Sequence, residues 1–338
     1  MTSKVFTFLF ICFLSYNCQE EGTAKRPQVI LEQSSPSVEV GASQMEEYLP
    51  LIRGKRVSMV VNQTSMIDKK HVVDTLHQLG INIVNIMSPE HGFRGNADAG
   101  AHIEDSKDPA TGIPIRSLYG ATRKPTKDML ENTEIVIFDI QDVGARFYTY
   151  ISTLHYVIEA CAEVNIPVII LDRPNPNAHY IDGPIREAEY RSFVGMHEVP
   201  IVYGMTIGEY GMMINGESWL PDELRCDLTV IPCENYDHQT YYELPIPPSP
   251  NLPNIRSILL YPSLCFFEGT PLSIGRGTKK QFQIIGHPAI ENGSYTFTPK
   301  SMYGAAHPVL QDQECVGEDL SILESRDIFD QASLDLSY

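Results

Sequence analysis

The sequence predicts an α/β protein: a doubly wound parallel sheet with helices on both faces, followed by a second, smaller α+β domain. Three observations carry that prediction. Apolar runs of strand length alternate with helix-length stretches through the first half, the pattern of successive β-α-β units. The runs are continuously apolar, as strands buried on both faces must be. Run after run then ends in polar residues suited to chemistry. Ile83-Val84-Asn85-Ile86-Met87 leads into Ser88-Pro89-Glu90-His91-Gly92, Ile135-Val136-Ile137-Phe138 into Asp139-Ile140-Gln141-Asp142-Val143-Gly144, and Pro167-Val168-Ile169-Ile170-Leu171 into Asp172-Arg173-Pro174-Asn175-Pro176. Open parallel sheets bind ligands beyond the carboxyl ends of their strands, so these three tips are expected to converge on one site.

Taken in order, the chain opens with Lys4 and an apolar stretch from Val5 to Leu14. That stretch is too short to span a membrane and has the length of an export-signal core. Residues 1–18 read as a leader ending at Cys18. This cysteine sits in a loose lipoprotein box, so lipidation there competes with ordinary signal cleavage. Either outcome places the protein outside the cytoplasm, periplasmic or lipid-anchored to the outer membrane. Residues 19–45 are polar and read as a tether. A first strand, Arg56 to Val61, a helix from Val72 to Leu79 closed by Gly80, and the Ile83 strand follow. Next come a short strand from Pro114 to Leu118, a helix near Lys127 to Glu131, the Ile135 strand, a helix from Thr149 to Val164 and the Pro167 strand. The first domain is expected to span 46–185 and the second 186–338. In the second, Thr206 and Glu209 have the spacing of a capping box opening a helix, and Asp227 to Pro232 reads as a strand. Residues 244–253 are too proline-rich for regular structure. Ile258 to Tyr261 and Leu264 to Phe267 are short strand candidates, and Gly269 to Gly277 a loop.

Composition narrows the function. The 338 residues suffice for two domains, and a hydrophobic fraction of 43% is that of a globular protein. A formal net charge of −18 argues against nucleic acid, which requires clustered Lys and Arg. It also disfavours anionic lipid, leaving a lipid at Cys18 as the expected membrane contact. Outside the leader the five cysteines are scattered, with neither disulfide-framework nor zinc-ligand spacing. A strand between Cys226 and Cys233 would hold their Cα atoms roughly 23 Å apart at ~3.3 Å per residue, beyond any disulfide. The ten histidines form no ligand pair, and there is no dinucleotide fingerprint, P-loop or Gly-x-Ser-x-Gly elbow. No metal or cofactor is expected.

Glu90 lies between Pro89, which stiffens the chain, and Gly92. A carboxyl shielded by His91 and Phe93 suits a general acid with a raised pKa; the alternative is a loop carboxylate paired with Arg94. Asp139, Gln141, Asp142, Arg146 and Tyr148 suit a hydroxyl-rich or carboxylated ligand, while Asp142 or Thr149 would equally serve as a helix N-cap. Arg173 and Asn175 either face a ligand or stiffen a turn. In Phe266 to Thr278, Glu268 and Arg276 are a candidate carboxylate and cation, with a simple hairpin as the alternative.

These segments together resemble one family. Pro89 to Gly92, Asp139 to Tyr150, Asp172 to Pro176, Gly204 to Glu209, Pro248 to Pro253, and Tyr261 to Cys265 continuing to Gly275-Arg276-Gly277-Thr278 fit, in order, the exo-β-N-acetylmuramidases of the NamZ type. The resemblance runs from about residue 45 to about 320. It implies a Rossmann-like domain, a smaller C-terminal domain and an active cleft between them. It implies hydrolysis of terminal β-1,4-linked N-acetylmuramic acid from non-reducing ends of peptidoglycan fragments. Glu90 falls where the family has its catalytic glutamate, with Asp142, Asp139 and Glu268 as candidates for its partner. Substrate contacts are expected from His91, Arg94, Asp139, Gln141, Arg146, Tyr148, Arg173, Asn175 and Arg276, with Arg146, Arg173 and Arg276 as candidates for the lactyl carboxylate. Relatives usually continue through further helix and strand where this sequence has Ser321 to Tyr338, so a truncated second domain is expected. The alternative function is a non-catalytic, cell-wall sugar-binding lipoprotein using the same cleft.

Overall fold

A computed structural model describes residues 37–90, 92–94 and 105–332. A first helix, α1 (Met45–Ile52), leads into β1 (Arg56–Val61), the centre of a seven-stranded sheet. The chain leaves β1 through a two-stranded hairpin, β2 (Met66–Ile67) and β3 (Lys70–His71). It passes through α2 (Val72–Gln78) and returns beside β1 as β4 (Asn82–Ser88). β5 (Ser106–Lys107) and β6 (Pro114–Ser117) complete that flank. After α3 (Lys127–Leu130) the chain crosses to the other side of β1 as β7 (Ile135–Asp139). It continues through α4 (Tyr150–Glu163), β8 (Val168–Leu171), α5 (Ile207–Gly216) and β9 (Leu228–Ile231). The order is β5-β6-β4-β1-β7-β8-β9, parallel throughout except for β5 on β6. The winding direction reverses at β1, so the ends of β4, β1 and β7 flank the crevice where such sheets bind ligand.

Both faces of the sheet are covered, which accounts for the uninterrupted apolar runs. Along β7, Val136 and Phe138 join Leu154 and Ile158 of α4 and Tyr210 and Ile214 of α5 in one core. Ile135 and Ile137 join Tyr48 and Ile52 of α1 and Leu76 of α2 in the other. Each such side chain, fully removed from water, contributes about 1.5–3 kcal/mol before conformational entropy is counted. The capping box at α5 forms as its spacing predicts: Glu209 N–H donates to Thr206 Oγ1 at 3.2 Å and Thr206 N–H to Glu209 Oε2 at 2.8 Å.

Three expectations are corrected. The strand at 228–231 belongs to the large sheet, pairing in parallel with β8 from Leu228↔Val168 to Leu171↔Ile231, so that sheet extends beyond residue 185. The tether does not reach residue 45. Glu39 pairs with Glu234, and Gly41 donates to the Asp172 carbonyl at 2.9 Å, so residues from 37 onward pack on the sheet's end. Gly41 fits because a Cβ there would meet the Ile231 carbonyl oxygen. Finally, 258–261 and 264–267 are not strands: α6 (Ile255–Leu264) is a helix and Cys265–Gly269 a 3₁₀ turn. Asn254 and Ser257 form a reciprocal cap. Pro262 has no N–H for the Ile258 carbonyl four residues earlier, and Asn177 Nδ2 donates to that carbonyl instead, at 3.2 Å.

The rest is the smaller antiparallel sheet of β10 (Ile284–His287), β11 (Tyr295–Phe297) and β12 (Cys315–Asp319), in the order β10-β12-β11, followed by α7 (Ser325–Ala332). Val143 and Ala145, from the loop after β7, share a core with Leu252, Ile258, Leu264 and Phe282. That core fixes the strand tips against the second half of the chain.

Candidate active site

A cleft of about 500 Å³ opens beyond the ends of β4, β6 and β7 and is walled opposite by residues between Ser249 and Phe282. Glu90 enters it directly after β4. Gly92, at φ +76°, donates to the Pro89 carbonyl at 3.1 Å and closes a tight turn with Glu90 at its corner. Tyr119 follows β6, whose end is tied to β4 by the Leu118 N–H on the Ser88 carbonyl at 2.8 Å. Its phenol hydrogen-bonds Glu90. Glu268 projects from the 3₁₀ turn after α6, and Arg276 Nη1 donates to its Oε1 at 3.2 Å. Burial pushes the Glu268 carboxyl up, the Arg276 guanidinium pulls it down and the charge of Glu90 pushes it up again, with a net rise. Glu90 and Glu268 line the same cleft. Tyr148 is fixed by its hydroxyl on the Pro248 carbonyl at 2.9 Å and meets Tyr150 and Tyr261 edge-on, at 5.0 and 5.8 Å between centroids.

The structure thus brings Glu90, Glu268, Arg276 and Tyr148 together and places the other candidates elsewhere. Asp139 and Arg173 form a buried, two-pronged ion pair, Nε to Oδ1 at 2.5 Å and Nη2 to Oδ2 at 3.0 Å. Gln141 ties its own loop to the Pro174 carbonyl at 2.6 Å. Arg146 donates to the carbonyls of Pro184 and Val199. Asn175 Nδ2 donates to the Met205 carbonyl at 2.9 Å, and its Oδ1 accepts from Asn177 N–H at 2.8 Å. Arg94 is shared between Asp74 and Asp108 at 3.0–3.2 Å, and Phe93 is buried against His71. The polar groups of these side chains are engaged with the scaffold, except Arg146 Nε, which is buried without a partner. Asp142 is also buried and does not line the cleft. Its Oδ2 accepts from Gly144 N–H at 2.8 Å and from the Tyr203 hydroxyl, while burial pushes its pKa up to about 6. His91, Cys18 and the leader lie outside the described residues. Among the described residues no group of three or more His, Cys, Asp or Glu side chains is arranged to hold a metal ion.

Comparison with known proteins decides the family. The N-terminal part of the exo-β-N-acetylmuramidase NamZ family matches residues 57–256, and its C-terminal part matches residues 259–337. The chain belongs to the NamZ family. The peptidoglycan β-N-acetylmuramidase NamZ of Bacillus subtilis (strain 168) is 41% identical over 276 residues, 79% of this chain and 66% of that protein. This chain therefore spans just under two thirds of that relative's length. Two crystal structures of DUF1343-family proteins from Bacteroides fragilis NCTC 9343 share the fold. One matches with a TM-score of 0.82 at 49% identity, covering 88% of this chain and 80% of that one. The other has a TM-score of 0.76 at 30% identity, covering 86% and 79%.

The cleft of this NamZ-family protein also holds residues that the sequence did not single out: Tyr119, Arg123 and Phe193. Tyr119 follows a strand, so the strand-tip rule that found Glu90 finds it too once β6 is granted its place beside β4. Arg123 and Phe193 come from irregular segments between elements, where no periodic signal points to a site.

Proposed function

We propose that this protein is a glycoside hydrolase that releases terminal β-1,4-linked N-acetylmuramic acid from the non-reducing ends of peptidoglycan fragments. Membership of the NamZ family supports the reaction class. The observation that carries the reading is the cleft itself, where Glu90 and Glu268 share one space with Tyr119, Tyr148 and Arg276. Glycoside hydrolysis asks for two carboxyl groups, one donating a proton to the leaving oxygen while the other activates water or attacks the anomeric carbon. Burial above all, with a smaller push from the charge of Glu90, raises the Glu268 carboxyl against the pull of Arg276, which suits Glu268 to hold a proton. Glu90 is the primary catalytic carboxyl in this reading, and Glu268, held by Arg276, is its partner. Tyr148 and its aromatic neighbours offer faces for a sugar ring.

The apolar leader supports export, with Cys18 as the point of lipid attachment, so that the cleft meets cell-wall fragments outside the cytoplasm. Palmitate labelling that is lost in Cys18→Ala would test the anchor. The reaction is tested by mass spectrometry of products from defined fragments. Free N-acetylmuramic acid from fragments bearing it at the non-reducing end, with none from fragments ending in N-acetylglucosamine, is the expected result. Internal cleavage, or no cleavage by folded protein, would overturn it.

A further inference from the structure

The proposed substrate carries a negative charge of its own, the carboxylate of the lactyl ether, into a cleft already holding two glutamates. A cation beside the bound ring would offset that charge. Arg146 and Arg173 are spent on backbone carbonyls and on Asp139, and Arg276 is engaged by Glu268. Arg123 remains. Its guanidinium lines the same cleft and lies over the ring of Phe193, 4.3 Å from the centroid. Among the described residues no carboxylate pairs with it.

Arg123 is also held in place. The next residue, Lys124, is anchored to Glu159 and Glu163 of α4 at 2.6 and 2.7 Å, and Pro125 is buried. The Phe193 ring is stacked on Tyr156, and its carbonyl accepts from Ser152 Oγ at 2.7 Å. A guanidinium resting on a fixed ring keeps its N–H edge free for a planar, two-oxygen partner. It lies on the Glu90 side of the cleft, since its charge is felt at the Tyr119 phenol that bonds Glu90.

We infer that Arg123 is the specificity-determining residue of this cleft, receiving the lactyl carboxylate of the muramic acid ring beside the catalytic carboxyls. The inference rests on the function proposed above. Its test uses an aryl β-glycoside of N-acetylmuramic acid and the lactyl methyl ester of the same glycoside, which removes only the charge. Wild type, Arg123→Ala and Arg123→Lys are compared by kcat/KM on both, and by calorimetric binding of free N-acetylmuramic acid and its methyl ester. A charge-assisted, two-pronged contact predicts an acid-over-ester preference of about 10- to 100-fold in wild type. That preference collapses towards one in Arg123→Ala and survives in part in Arg123→Lys. No preference in wild type, a preference that persists in Arg123→Ala, or a loss shared equally by acid and ester, would overturn the assignment. Absence of turnover in wild type would defeat the hydrolase reading alone if acid still bound better than ester in an Arg123-dependent way. Binding without that dependence would defeat this inference too.

Discussion

Replacing Arg173 by Met should cost the fold, not the ligand. Asp139 and Arg173 are 0% and 4% exposed, joined by two hydrogen bonds of 2.5 and 3.0 Å, with a third from Arg173 Nη2 to the Met66 carbonyl at 3.1 Å. Removing one member leaves Asp139 buried without its counter-charge, a loss of about 3–5 kcal/mol. That is a large share of the ~5–15 kcal/mol that holds an ordinary domain together. The exposed pair Arg326–Asp330, with side chains 61% and 54% accessible, sets the contrast: breaking it should cost ~0–1 kcal/mol. Urea unfolding followed by the fluorescence of the single tryptophan, Trp219, which is stacked on His197 at 4.5 Å, measures both. The double replacement of Asp139 by Asn and Arg173 by Met should recover part of the loss, because it removes the stranded charge. An Arg173→Met protein within about 1 kcal/mol of wild type that has lost affinity for muramic ligands would instead make Arg173 a binding residue.

Other consequences follow from the same geometry. Arg276 holds the Glu268 carboxyl down against burial and Glu90, so Arg276→Gln should move the Glu268 limb of the pH–rate profile to higher pH; an unmoved profile would remove Glu268 from the chemistry. Asp142 is pushed up to about 6 in the fold against ~3.9 unfolded. The native state then binds the extra proton between those values, and stability falls as pH rises from about 4 to about 6. Asp142→Asn should abolish a decline of roughly 3 kcal/mol, on the order of two pKa units, and denaturant titrations at pH 4 and 7 would show whether it does. Gly41→Ala would drive a Cβ to within 2.3 Å of the Ile231 carbonyl oxygen. It should destabilise by about 1–3 kcal/mol and expose the segment around 37–45 to protease, whereas intact resistance would show that this segment is not pinned as described.

The large sheet was legible because its strands obey a simple rule: buried on both faces, they must be apolar throughout, and the tips must carry the polar chemistry. Glu90 followed from that rule, and Glu268, Arg276 and Tyr148 were also in view. The same rule could not separate tip residues that face a ligand from those that knit the tips together. Asp139 with Arg173, and Asn175 with Met205 and Asn177, look like site residues in one dimension and are scaffold in three. The apolar run of α6 reads as strand because a helix buried on most sides shows no period; its reciprocal cap, Asn254 with Ser257, is where the sequence marks a helix start. The small sheet left little trace. β12 reads Cys-Val-Gly-Glu-Asp, and its pairing depends on Gly317, where a Cβ would strike the backbone of Ile285. Arg123 leaves no mark in the sequence, because an exposed arginine in a loop is ordinary until its neighbours are known.

If the cleft hydrolyses a muramic glycoside through Glu90, replacing that carboxyl by its amide separates the chemistry from binding. Chromophore release from an aryl β-N-acetylmuramic acid glycoside would be measured for wild type and Glu90→Gln, with calorimetric binding of free N-acetylmuramic acid to each. Glu90→Gln should lower kcat about 10²–10⁴-fold, the usual contribution of general acid–base catalysis, with binding retained. Equal turnover by the two proteins would contradict it.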